Sequence, residues 1–108
     1  MLNSENEKLY TIIFMFTDAF ADDVEFEVSS CEFSEPLEED LLDISTTKQL
    51  LYYLAEIFGD NISTLSNQDE IELIEEHEIS DISEMQIIDT EEQKTYCLNI
   101  QNKKIFIE

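Results

Sequence analysis

Apolar residues recur along the 108-residue chain in two different periods. Val24, Phe26 and Val28 alternate with Glu25 and Glu27, and this period of two predicts a half-buried strand over residues 24–28. Leu50, Leu51, Leu54, Ile57 and Phe58 instead share one face of a 3.6-residue period, which predicts a helix over residues 46–58. Its ends are marked: Thr46 and Gln49 have capping-box spacing, and Gly59 stands where a left-handed cap is wanted. Pro36 suits a second helix start, with Leu37, Leu41 and Ile44 on one face and Glu38, Glu39 and Asp40 in the first turn. Towards the C-terminus, residues 85–88, 95–100 and 105–107 read as strands. Turn-rich residues 89–93 and 101–104 separate them, the pattern of an antiparallel meander.

Two segments fit both templates. In residues 4–20, Leu9, Ile13, Phe16 and Phe20 form a helical stripe behind a Ser4–Glu7 capping box, while residues 11–16 have the β-branched and aromatic content of a buried strand. Both readings stay open there, with helix slightly ahead. In residues 68–82, Ile71, Leu73, His77 and Ile79 alternate like a strand interrupted by Glu75, while Asn67 and Glu70 look like a helix cap. The sum is an α+β fold: one small domain over residues 1–108, with an antiparallel sheet and two or three helices.

The chain carries 27 Asp plus Glu against five Lys, for a net charge of −22. Residues 18–92 hold 24 of the acids and only Lys48 as a base. Disorder is the ordinary reading of such a charge, but hydrophobic residues make up 43% of the chain and acids alternate with core positions, so the charges belong to a folded surface. That surface repels phosphates and disfavours direct contact with nucleic acid or an anionic membrane. No apolar run approaches the ~20 residues of a membrane span. The N-terminus lacks a basic region followed by an apolar run, so the expected location is cytoplasmic, with both thiols reduced. Cys31 and Cys97 are expected as small core residues.

Little of the sequence suits catalysis. One Gly cannot build a phosphate-cradling loop or a nucleophile elbow. Cys31 and His77 could in principle form a nucleophile and base, but nothing in their spacing makes them a dyad. Calcium loops need a Gly at their sixth position, which the acidic runs 18–23 and 81–89 lack. No enzyme, metal site or cofactor is expected.

The acids themselves remain. Glu25 and Glu27 on one strand face lie ~6.6 Å apart at ~3.3 Å rise per residue, near the spacing of successive phosphates. Solubility needs a net charge of only about 2–8 in a small domain, and a larger excess costs stability. Halophilic adaptation would also give acids, but the Ile-, Asn-, Lys- and Glu-rich usage with few Ala and Gly looks like an AT-rich genome. In size, charge and interleaving over residues 18–92, the chain resembles the small acidic DNA-mimic inhibitors of phages and mobile elements, of the anti-CRISPR and anti-restriction type. These share no motif and no single fold, so the resemblance implies a mode of action only. That mode is occupation of the basic groove of a host-defence nucleic-acid enzyme, with its Arg and Lys paired to carboxylates. The expected contact groups are Asp22, Asp23, Glu25 and Glu27; Glu38, Glu39 and Asp40; and Asp69, Glu70, Glu72, Glu75, Glu76 and Glu78. The expected partner is a basic nucleic-acid-binding protein such as a nuclease or its complex, and monomer and dimer both stay open. The alternative is an immunity protein for one cognate basic nuclease toxin, with Tyr52 and Tyr53 as candidate anchors among the acids.

Overall fold

The computed structural model describes residues 8–18, 21–59 and 68–108. Five strands form one antiparallel sheet: β1 (Lys8–Phe16), β2 (Val24–Ser30), β3 (Ile82–Asp89), β4 (Lys94–Asn99) and β5 (Lys104–Ile107), in the order β2-β1-β3-β4-β5. Helices α1 (Glu38–Leu41), α2 (Thr47–Ile57) and α3 (Gln68–Glu75) connect β2 to β3. They cover one face of the sheet, with α3 against β2 and α1 against β5. The α+β reading with an antiparallel sheet and C-terminal meander is therefore the observed architecture.

The core lies between sheet and helices. Tyr10, Ile12 and Phe14 of β1, Val24, Phe26 and Val28 of β2, Met85 and Ile87 of β3 and Leu98 of β4 meet Leu50, Leu51, Leu54, Ile71 and Ile74 of the helices. The helix expected over residues 4–20 is a correction: residues 8–16 are strand, paired on both sides. Strand geometry sends Tyr10, Ile12 and Phe14 to the core and leaves Leu9 40% exposed. The pairing of two neighbours outweighs the local stripe, and β-branched and aromatic residues suit it. The Ser4–Glu7 box and Phe20 lie outside the described residues.

The best-marked helix forms as its sequence dictates. Thr46 caps α2 through the Gln49 amide at 3.1 Å, and the Gln49 side chain returns to the Thr46 amide at 3.2 Å. Gly59 then takes φ +69°, where a Cβ would run into the Glu32 side chain. The helix expected after Pro36 is real but lasts only four residues, because a new cap at Thr46 starts the next helix so soon afterwards. Leu41 and Ile44 are buried as expected, whereas Leu37 is 52% exposed.

Residues 68–82 resolve into α3, a 3-10 turn at Ile79–Asp81, and the start of β3. Ile71 and Ile74, three apart, are the buried pair, so the helical period holds and the strand-like alternation of Leu73 and His77 does not. Asn67 and the side chain of Glu70 lie outside the described residues. The β1–β3 register shifts between Met15 and Phe16, which pair with Glu84 and Ile82. This irregularity skips Ser83 and lets Ile82 and Met85 both face the core despite their odd spacing.

Candidate functional site

The expected contact residues fall on three elements that are not all neighbours. Glu25 and Glu27 are exposed on β2, an edge strand, and Asp22 and Asp23 are exposed in the approach to it. Asp69, Glu72, Glu75 and Glu76 are exposed on or just beyond α3, and Glu78 precedes the 3-10 turn. Because α3 lies against β2, the two groups lie at the same edge of the sheet, with Glu25 and Glu27 pointing to the sheet face opposite α3. Neither β2 nor α3 contains a lysine. Glu38, Glu39 and Asp40 belong to α1 at the opposite flank, beside β5. Five strands at ~4.8 Å separation put the two sheet edges ~19 Å apart.

Glu38 and Asp40 of α1 also hold the fold. Mutual hydrogen bonds between Thr95 and Glu108 fix which β5 amides face β4, and the alternation turns the Ile105 amide to the open edge. There it donates to the Glu38 carboxylate at 2.9 Å. Glu38 thus occupies a site on which another strand could pair. Asp40 accepts the Tyr53 hydroxyl at 3.0 Å, and that hydroxyl accepts the Leu37 amide at 3.3 Å. Burial first, then the neighbouring Asp40 charge, pushes the Tyr53 phenol well above its ordinary range. Tyr53 is therefore an internal tie between α1 and α2, while Tyr52 is 51% exposed with Lys48 over its ring.

Sequence reasoning missed a second arrangement, at the end of the sheet where β1 begins. A cleft of about 370 Å³ is lined by Lys8, Tyr10, Phe33, Glu35, Lys94 and Tyr96, among others. Tyr10, Phe33, Phe58 and Tyr96 pack beneath it in tilted and edge-to-face contacts, with ring centroids 4.8–5.5 Å apart. Lys94 pairs with Glu35 at 3.2 Å, and the Tyr96 hydroxyl donates to the same carboxylate at 2.8 Å. The Tyr96 hydrogen bond, then Lys94, holds Glu35 below its usual range. Lys8 pairs at 3.3 Å with Asp89, which is buried and also accepts the Glu91 and Glu92 amides at 3.1 Å each. Burial alone would raise the Asp89 carboxyl, but the Glu92 amide, Lys8 and the Glu91 amide bring it below the ordinary value. The only advance signal was an Asp at the head of a predicted turn.

The thiols part company. Cys97 is buried as expected, and burial pushes its thiol up. Cys31 is a correction: it is exposed and lines the cleft, one residue beyond the end of β2. His77 stacks on Phe16 at 4.3 Å, the far end of β1, and its Nδ1 lies 2.9 Å from the Leu73 carbonyl. Ser30 pairs with Lys8, so the eight residue steps of β1 put ~26 Å between the ends where Cys31 and His77 sit. They form no dyad. Among the described residues no group of three or more His, Cys, Asp or Glu is arranged to hold a metal, and no helix is long and apolar enough to cross a membrane. Comparison with protein-family models, curated proteins and solved structures finds no match.

Proposed function

We propose that this protein is an acidic inhibitor that mimics nucleic acid and blocks the binding groove of a host-defence nucleic-acid enzyme, of the anti-CRISPR or anti-restriction type. One observation carries the reading. The acids of β2 and α3 sit on regular, adjoining elements with no lysine on either, so they are held in fixed positions on both sides of one sheet edge. Ordered carboxylates lose less conformational freedom on pairing with Arg and Lys than a flexible acidic tail would. Lys8 and Lys94 are paired, Lys103 donates to the Ile44 carbonyl at 2.7 Å, and Lys48 of α2 lines a cleft with Glu75 and Glu78 at the end of α3. A net charge of −22 would steer the protein towards a basic groove and make association fast and salt-sensitive.

An immunity protein for a basic nuclease toxin is the second reading. Tyr52 favours it: half-exposed, it lines a shallow cleft with Asp40, Asp43 and Glu56, which would suit an anchor for one cognate partner. The test uses a nucleic-acid enzyme captured from host lysate and its labelled duplex substrate. The mimic is expected to compete with the duplex, and the pairs Glu25→Lys with Glu27→Lys, or Glu72→Lys with Glu76→Lys, are expected to lose at least about a hundredfold in inhibition, at ~1.4 kcal/mol per tenfold. Full inhibition by both reversed pairs and by Glu39→Lys would overturn the reading.

A further inference from the structure

The face of the sheet turned away from the helices is not patterned for water. The register aligns Glu25, Ile13, Gln86, Cys97 and Phe106 in one row across the five strands. A second row runs Glu27, Thr11, Ile88 and Thr95. Met15 and Leu9 share this face at the two ends of β1. Leu9 is 40% exposed and Phe106 58%, while Ile13, Met15 and Ile88 are half-buried. An antiparallel sheet with one solvated face ordinarily alternates apolar-in with polar-out. β1 does not: residues 12–16 are apolar without a break, the pattern of a strand covered on both faces. Among the described residues the helices cover only one. Carboxylates of Glu25, Glu27 and Glu84 share the open face, together with Lys104 opposite Asn99.

We infer that this open face is a docking surface for a basic protein that places an apolar or aromatic side chain over Ile13 and Ile88 and its lysines or arginines against Glu25, Glu27 and Glu84. An apolar centre with a charged rim is the anatomy of a specific interface. Charge complementarity selects the occupant. A second copy would bring another −22 and the same acidic rim, and nucleic acid would bring phosphates, so both are repelled. The inference rests on the reading above only in that the partner is basic. It adds that affinity depends on an apolar anchor, which a phosphate-like surface alone does not have.

Two synthetic peptides of equal charge test it, one alternating lysine with leucine and one alternating lysine with serine. Each is titrated into isotope-labelled protein and followed by amide shifts. The leucine peptide should bind at least about tenfold tighter, with shifts centred on Ile13 and Ile88. Ile88→Thr, which keeps the β-branch, and Phe106→Ser, at an exposed position, should remove that preference and leave the serine peptide unchanged. Equal binding of the two peptides, shifts confined to the helical layer, or variants that bind as wild type would overturn the inference. So would a dimer at high salt that Ile88→Thr dissociates, because a second copy would then be the occupant. Neither peptide competes for a nucleic-acid groove, so failure here leaves the mimic reading standing. Conversely, a partner that duplex cannot displace would sink mimicry and leave this face intact.

Discussion

Asp89 ties three things at once: the Lys8 ammonium and the two amides that close the β3–β4 turn. Asp89→Asn keeps the shape and removes the charge, and should cost about 1–3 kcal/mol in urea unfolding at neutral pH. Its pH dependence has a definite sign. The folded carboxyl titrates below its ordinary value, so its contribution is complete above the unfolded value of about 3.9. It is lost as pH falls through the folded value. The stability gap between wild type and Asp89→Asn should therefore hold from neutral pH down to about 5 and close below about 4. A gap that widens on acidification would contradict the assignment. Sequence spacing placed this Asp at a turn, but nothing local revealed that Lys8, 81 residues away, would close on it. Cys31 was misjudged for a related reason: a small apolar residue next to a strand reads as core until the chain's exit from the sheet is known.

At the scale of elements, what the sequence made legible was what local chemistry decides. The cap of α2, the alternation of β2 and the turns of the meander carry their own signals. Thr46→Ala should lower stability by about 1 kcal/mol, and Gly59→Ala by at least a similar amount, since the new Cβ meets Glu32 at positive φ. Both are read as shifts in the denaturation midpoint. β1 was not legible, because its helical stripe and its strand content agree equally well with its residues. Only pairing with β2 and β3, on either side, decides it. The edge role of Glu38 was hidden likewise. The sequence offered it as a partner contact in a helix's first turn, whereas it holds the Ile105 amide 67 residues away. Glu38→Ala should speed hydrogen exchange at Ile105 by about tenfold and leave Phe106, which bonds to β4, unchanged. Equal acceleration at both would mean that β5 frays as a unit and that Glu38 does not act on one amide.

For the whole molecule, the ruling quantity is a net charge of −22 spread over one small core. Like charges crowd more closely in the folded state than in the unfolded one, so the fold is strained by its own field. Screening should relieve it: raising ionic strength from ~0.01 M to ~1 M shortens the Debye length from ~30 Å to ~3 Å, and Tm should rise by several degrees. A flat Tm would mean that the acids are spaced too widely to repel. Composition announced this excess at once, and the register and helix contacts divide it between a β2–α3 flank and an α1 flank at opposite sheet edges. The grouping was beyond sequence reasoning because it depends on which helix crosses which strand.

The most direct test of mimicry is capture of partners from host lysate on the tagged protein, eluted first with duplex DNA and then with salt, the eluates being identified by mass spectrometry. A nucleic-acid enzyme released by duplex at low salt is expected, and its absence when Glu25→Lys and Glu27→Lys are combined with Glu72→Lys and Glu76→Lys. A partner that ignores duplex, or one that the charge-reversed protein captures equally well, would contradict it.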